Sequence, residues 1–456
     1  MTQTRQLPQS TAPPGFISGS SLILLSFAAA FFPRIVQAVG IPAVINFAHF
    51  IVLPAACSLV ILTSRRQDRR QMIIVKSILL GLLVLFAIAT ASALLNNAGL
   101  INVFLGLMII SEPFILLAAL VAIPFTPDAL THLKKWVLGF GMGHLILALG
   151  QKVGLATGLL PHERMTIEDN VQGVFYLSSG GHVVGASASL AFGLYYYFSA
   201  RAVPLWIRCS VLFAVIAQIL FADAKQVILV ALVSWVLLIL SKITDLKVAF
   251  QYIIAAVLVG YAFYWCIYNV EVFSPYQTWI RPHIYGPDGD ATLLKTGPLR
   301  IIPSFYTSVL NWPLGLGPGH TIGRIGGWMI KDYWSIVGPL GATIHPASEA
   351  VWETWQGHYL DSSFFAPLWG WAGIWGDLGF LGLASYISLW FITWTHVCKD
   401  DLSRFLVFNI LVNGFIFTLM EEPGFTLTSI MLIGLRWHEL RSEEHTSELQ
   451  SPVPIS

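Results

Sequence analysis

The chain is expected to fold as an all-α integral membrane protein of about twelve transmembrane helices, with both termini cytoplasmic and one large outward-facing loop between the ninth and tenth helices. Three observations lead there. Only 11% of its 456 residues are charged against 56% hydrophobic, and the mean hydropathy is +0.72, whereas a water-soluble domain keeps far more charge on its surface. Apolar runs of about 18 residues or more recur along the chain, the length that crosses a bilayer as a helix. The Lys and Arg residues gather in alternate short connections, the pattern that sets orientation. The net charge of +1 discriminates nothing, because in a membrane protein the distribution of charge carries the information. The lipid bilayer is therefore the first partner, and no nucleic acid is expected.

Taken in order, the first run (16–32) follows a polar, Pro-rich stretch from Met1 to Gly15 and is expected to remain as an anchor. Runs at 37–63, 71–95, 100–123, 136–160, 183–199, 206–222, 226–241 and 248–269 follow, and 368–395, 405–420 and 424–440 complete the set. RRQDRR (65–70), Lys134 with Lys135, Arg201 with Arg208, Lys242 with Lys247, and Lys399 with Arg404 occupy alternate connections, and one register places all of them in the cytoplasm. Residues 1–270 then hold helices one to nine, 271–363 the extracytoplasmic loop and 364–440 the last three helices. Residues 441–456 open with RSEEHTSELQS, which resembles the in-frame translation of a sequencing adapter; this artefact-like tail stands outside the functional reading. Cys57, Cys209, Cys266 and Cys398 lie in or beside apolar runs, so no disulfide framework is expected. Glu112, before Pro113 in the fourth run, must face the bundle interior, because a carboxylate in hydrocarbon is costly. Asp377, near the start of the tenth run, is expected to cap that helix.

The loop from Glu271 to Ser363 interrupts this apolar pattern. It carries seven acidic residues, five Lys or Arg, His283, His320, His345 and His358, and six of the sixteen Trp. A connection this long is disordered or functional, and disordered segments are poor in aromatics; a folded extramembrane lid is the expectation. Two smaller features share its side of the membrane. PHERMTIEDNVQGVFYLSSGGH (161–182) is long enough for a short amphipathic element, and FADAKQVILV (221–230) sets Asp223 and Lys225 in a tight turn. The chain has no P-loop, no GxGxxG, no HExxH and no internal repeat, so neither a metal nor a cofactor is expected.

The segment TGPLRIIPSFYTSVLNWPLGLGPGHT (296–321) resembles the O-antigen ligase and O-antigen polymerase superfamily, in which an Arg opens a helix and is followed by a Pro and a Gly-x-Gly-x-Gly turn in the large outer loop. WGDLGFLGLASY (375–386) resembles the Gly-rich start of the helix after that loop, and DAKQVILVAL (223–232) stands where the family usually carries a Ser-Arg pair. The resemblance covers about residues 180–420. It implies a glycosyltransferase of the bacterial inner membrane, with its active site facing the periplasm, that moves a saccharide from a polyprenyl-pyrophosphate donor to a hydroxyl of a lipid or glycan acceptor. Arg300 matches the family's loop Arg, and Lys225 stands at its second cation with Lys for Arg. Arg324 and His320 border the run LGLGPGHTIGRIGG (314–327) and join them as candidate pyrophosphate contacts; the run itself either offers backbone N–H groups to phosphate or simply makes turns. The family usually has a His shortly before the Gly-rich helix. This chain reads YLDSSFFAP (359–367) there, so Asp361 and His358 are the candidate catalytic bases, with His345, Glu349 and Glu353 behind them.

The chemistry asks for these residue types. Lipid pyrophosphate leaves as an anion, fixed cations stabilise the charge that builds on it, and guanidinium grips phosphate bidentately. A base then takes the acceptor's hydroxyl proton. Trp312, Trp328, Trp334, Trp352 and Trp355 either stack on sugar rings or form an interfacial aromatic belt. Two other classes compete. A carrier also has about twelve spans with both ends inside, but a lone long loop after the ninth span is foreign to two-repeat carriers. A non-catalytic component of an envelope-polysaccharide complex would explain the missing His.

Overall fold

The computed structural model describes residues 18–64, 68–160, 166–176, 180–242, 246–279, 282–360 and 364–450, and all regular structure among them is helical. The main helices are α1 (Gly19–Phe31), α2 (His49–Thr63), α3 (Arg69–Asn96), α4 (Leu100–Ala122), α5 (Pro127–Ala156), α6 (Gly181–Ser199), α7 (Leu205–Phe221), α8 (Lys225–Leu240), α9 (Leu246–Asn269), α10 (Asp290–Ile301), α11 (Pro346–Glu353), α12 (Gly370–Ile392), α13 (Asp401–Asn413) and α14 (Pro423–Gln450). Local chemistry sets many of their ends. Ser18, Asp68, Thr126 and Asp400 each accept a backbone N–H of the following first turn. α1 stops before Pro33, whose ring cannot continue a helix. α3 ends on Asn97 in the left-handed region, φ 52°.

Each apolar run read from the sequence overlaps one of these helices, though α2 begins only at His49 of the 37–63 run and α13 ends at Asn413 within the 405–420 run. Six are long and apolar enough to cross a membrane: Ala43–Thr63 (α2 with the turn before it), α3, α4, α5, α9 and Gly370–Val397 (α12 with its last turn). Apolar α1, α7 and α8 are shorter, at 13, 17 and 16 residues. These are the helices of a membrane-embedded protein, and their packing agrees. α4 lies at the centre, against α2, α3 and α14, and α14 reaches in turn to α6, α1 and α13. At the other extreme only Ala249 and Ile267 of α9 are buried, while its Val257, Leu258 and Tyr261 stand out from the bundle. Apolar side chains on that face want lipid. Glu112 is inside, as its cost in hydrocarbon requires: it is 1% exposed, and His49 Nδ1 lies 2.8 and 2.9 Å from its two oxygens.

The connection between α9 and α12 is folded. Ile302, Leu316, Ile322, Val351, Trp355 and Trp375 belong to a second apolar core apart from that of the bundle. The 161–182 connection differs from the amphipathic element expected. Residues 161–165 and 177–179 lie outside the described residues, and the rest forms two single turns, Glu168–Asn170 and Gly173–Phe175. Those turns are held by Gln151 Oε1, which accepts the N–H groups of Gln172 (2.9 Å) and Gly173 (2.7 Å), with Val171, Val174 and Phe175 buried beneath.

Candidate functional site

The Gly-rich run is the frame of the site. Gly315, Gly317 and Gly319 all take positive φ, of 73°, 106° and 71°, a region side chains avoid. They fold the run onto the first half of α12, which is itself broken at Gly379 (φ 65°); a Cβ there would sit 2.3 Å from the Pro313 carbonyl carbon. Asp377 is the clamp. Its carboxylate accepts the Gly319 N–H (2.7 Å), the Thr321 N–H (2.8 Å) and the Thr321 hydroxyl (2.6 Å). This corrects the helix-cap expectation: Asp377 lies two turns into α12, whose N-cap is Trp369, and it serves the loop instead. It also occupies loop N–H groups that a phosphate would have needed. Asn102 ties the run to α4, donating to the carbonyls of Pro318 (3.1 Å) and Thr343 (2.9 Å) and accepting the Thr343 N–H (2.9 Å).

His320 belongs to this frame. It is 3% exposed; Nδ1–H donates to the Leu316 carbonyl (2.8 Å), so Nε2 accepts the Thr343 hydroxyl (2.7 Å), and the ring stacks on His345 at 5.2 Å. Burial, seconded by His345, pushes its pKa down to about 4. With both nitrogens engaged it offers nothing to a phosphate. His345 N-caps α11 by accepting the Ala347 N–H at 3.1 Å.

Arg324 takes a different position, beside a cavity of about 550 Å³ also lined by Arg34, Gln37, Trp328, Trp352, Trp355 and Glu422. Its backbone N–H donates to Glu421 Oε2 (2.6 Å), its guanidinium pairs with Glu422, and it lies 4.9 Å over the Trp328 ring. Burial first, and the nearby Arg34 second, lower its pKa to about 10. Arg34 has no carboxylate partner among the described residues and makes only a 3.4 Å bond to Gln37. The indole N–H of Trp355, 9% exposed, is buried without an acceptor among the described residues. Of the five tryptophans singled out above, Trp328, Trp352 and Trp355 line this cavity, while Trp312 and Trp334 are exposed.

A second cavity, about 600 Å³, opens between α8, α10 and the end of α13. Leu229, Val233, Leu299, Phe365, Trp369 and Phe415 make it apolar, and Lys295 is its one charged lining residue among the described residues. Lys295 Nζ donates to the Phe415 carbonyl (3.0 Å), and burial pushes its pKa down to about 7. Lys225 and Arg300 do not line this cavity; each lies one helical turn along its helix from a lining residue, Leu229 on α8 and Thr296 on α10. Lys225 pairs with Asp223 at 2.7 Å across the tight turn, where Asp223 has φ 47°. Arg300 is exposed, with Nη2 donating to the Leu293 carbonyl of its own helix at 2.8 Å. Arg324 thus lines the aromatic cavity, while Lys225 and Arg300 stand on two helices that wall the apolar one without lining it themselves.

Between the cavities runs the turn from α13 to α14. Phe415 and Ile416 line the apolar one, and Phe417 through Leu419 with Glu422 line the other, with Phe417 at φ 45°. Asp361 lies outside the described residues. His358 is half-buried, Nδ1 accepting the Leu360 N–H at 3.1 Å. Glu353 is exposed, and Glu349 is exposed 3.8 Å from Lys331. Among the described residues no group of three His, Cys, Asp or Glu is placed to hold a metal ion. Arg34 and Lys295 are the functional candidates that sequence reasoning passed over. Arg34 had a signal: it is a cation between the first two apolar runs, on the side the charge register leaves poor in Lys and Arg.

Comparison with protein-family models, with curated proteins and with solved structures finds no match for the chain.

Proposed function

We propose that this protein is a polytopic membrane glycosyltransferase of the O-antigen ligase and polymerase kind, transferring a saccharide from a polyprenyl-pyrophosphate carrier to an acceptor hydroxyl. The observation that carries the reading is the apolar cavity between α8, α10 and α13, with Lys295 in its wall; the reading brings Lys225 and Arg300, carried on α8 and α10, to its mouth. That combination suits an amphiphile with a long hydrocarbon tail and an anionic head. In the proposed reaction the prenyl chain lies against Leu229, Val233 and Phe415, and the pyrophosphate meets the cations. As the bond from the anomeric carbon to the phosphate oxygen breaks, negative charge gathers on the leaving pyrophosphate, where fixed cations lower the barrier. The acceptor oxygen attacks the anomeric carbon, and its proton passes to His358 or Asp361. On His358 the receiving atom is Nε2, because Nδ1 already accepts the Leu360 N–H.

The reading carries a topology: about twelve crossing segments, both ends cytoplasmic, and the cap between α9 and α12 facing the periplasm of a bacterial inner membrane. Reporter fusions at Gln67 and Asp400 are expected to score cytoplasmic and a fusion at Gly289 external; a cytoplasmic Gly289 overturns the arrangement. The activity itself is tested by deleting the gene in its host and analysing envelope glycans. Loss of long chains with a single repeat unit retained identifies a polymerase, and free polymer left on its carrier identifies a ligase. Unchanged glycans, with the purified protein failing to consume a lipid-linked donor, refute the proposal.

A further inference from the structure

We propose that the cavity around Arg34 and Arg324 is a saccharide-binding site for an acceptor that bears an anionic group. The proposal rests on the transferase reading for the word acceptor, but not for the binding. Its wall has the three parts that carbohydrate recognition needs. Trp328, Trp352 and Trp355 supply flat apolar faces for a sugar ring. Glu422 and Asp332, both lining it, accept hydrogen bonds from hydroxyls. Arg34 and Arg324 donate, and they stand close enough for Arg34 to disfavour the charge on Arg324. Arg324 is neutralised by Glu422. Arg34 is not so neutralised, and a half-buried guanidinium without a carboxylate is a place for a ligand's phosphate or carboxylate.

A second observation is independent of the charges. Trp352 and Trp355 of this wall pack edge to face, with ring centroids 5.3 Å apart, and so hold each other as a rigid aromatic corner. Such a corner receives the apolar face of a sugar ring. The volume of about 550 Å³ lies within the usual range for small-molecule sites and is room for a few sugar residues. The position also fits: Ile416 lines the apolar cavity and the next residue, Phe417, lines this one, so the two cavities share the α13–α14 turn in their walls.

The test uses the full chain in phosphatidylcholine nanodiscs, where no anionic lipid competes, and saturation-transfer NMR titrations with two probes of equal length. Hyaluronan tetrasaccharide, which carries carboxylates, is expected to bind about tenfold more tightly than neutral chitotetraose, the effect of one charge-assisted hydrogen bond. Arg34→Gln is expected to abolish that preference, Trp352→Leu to weaken both sugars, and Arg300→Ala, on the other cavity, to change neither. Inorganic phosphate should compete with the acidic sugar. Equal binding of the two probes, a preference that survives Arg34→Gln, or phosphate binding without any sugar binding overturns the proposal. The two readings fail separately. Sugar binding without turnover of a lipid-linked donor removes the transferase and leaves the site. Donor turnover with an acceptor KM unmoved by Arg34→Gln removes the acceptor site and leaves the transferase.

Discussion

The two cavities on either side of the α13–α14 turn are similar in size and opposite in chemistry. The one between α8 and α10 is apolar, and burial weakens the charge on Lys295, its one charged lining residue among those described. The one around Arg324 is aromatic and ionic, with Arg324 and Glu422 paired within its wall. A cavity that leaves one cation among hydrocarbon side chains selects an amphiphile. A cavity that pairs its charges and adds indoles selects something hydroxylated. Neighbouring sites of such different polarity suit a reaction between a lipid and a sugar better than a passage for one solute.

The largest expected effect falls on the Gly-rich frame, whose residues Gly315 to Thr321 line neither cavity. Gly379→Ala forces a Cβ into the backbone at Pro313 and demands positive φ of an ordinary residue. It is expected to cost about 2–5 kcal/mol, measured as a fall in detergent melting temperature. Retained stability means that α12 does not hold the Gly-rich run as described.

Next come changes that separate the two. Arg300→Ala should cut donor turnover roughly 10- to 150-fold, the worth of a charge-assisted contact to phosphate, with normal expression and melting. Arg300→Lys should be tolerated worse than Lys225→Arg, since the first loses bidentate geometry and the second gains it. Activity near wild type for Arg300→Ala would take the pyrophosphate away from this cavity.

The third effect is a pH dependence. Burial lowers the Lys295 pKa to about 7, so the ammonium form is abundant below that value and is lost above it. Binding of an anionic amphiphile to the wild type is expected to weaken as pH rises from about 6 to 8, and Lys295→Met should flatten that profile in a vesicle-derived lipid-binding assay. A profile identical in both proteins removes Lys295 from the head-group contacts.

The smallest change concerns Lys225. Its partner Asp223 is 45% exposed at the side chain, and such pairs contribute about 0–1 kcal/mol. Asp223→Asn, which keeps a residue tolerant of positive φ, should leave melting within about 0.5 kcal/mol and tighten the donor by freeing the ammonium. A weaker donor affinity would show that Asp223, and not Lys225, faces the substrate.

Much of the helical plan was legible because hydrocarbon writes itself along the chain. Every long apolar run became a helix, and Glu112 went inward because nothing else in a bilayer would hold it. Lys225 and Arg300 were paired by resemblance to a known motif, not by any local pattern; the helices that carry them wall one cavity, which neither side chain lines. Asp377 misled because an acid near a helix start reads as a cap, while its partners lie 58 and 56 residues back in the Gly-rich run. The Arg324 cavity was hidden for the same reason: Arg34, Trp328, Trp352 and Glu422 come from four distant segments, and no spacing rule joins them. Lengths were over-read at 16–32, 37–63 and 405–420: α1 ends before Pro33, the residues ahead of His49 form separate turns from α2, and α13 stops at Asn413.

The loosely held α9 has a consequence of its own. It touches little beyond α8 and the turns that follow it, so its tilt and depth answer to the thickness of the surrounding bilayer more than to neighbouring side chains. Because it leads directly into the cap through Glu271–Trp279, a thinner or thicker membrane tugs on the start of the cap like a mooring line. The choice of detergent or lipid then becomes a structural variable, and the purified protein is complete only with the annulus that steadies this helix.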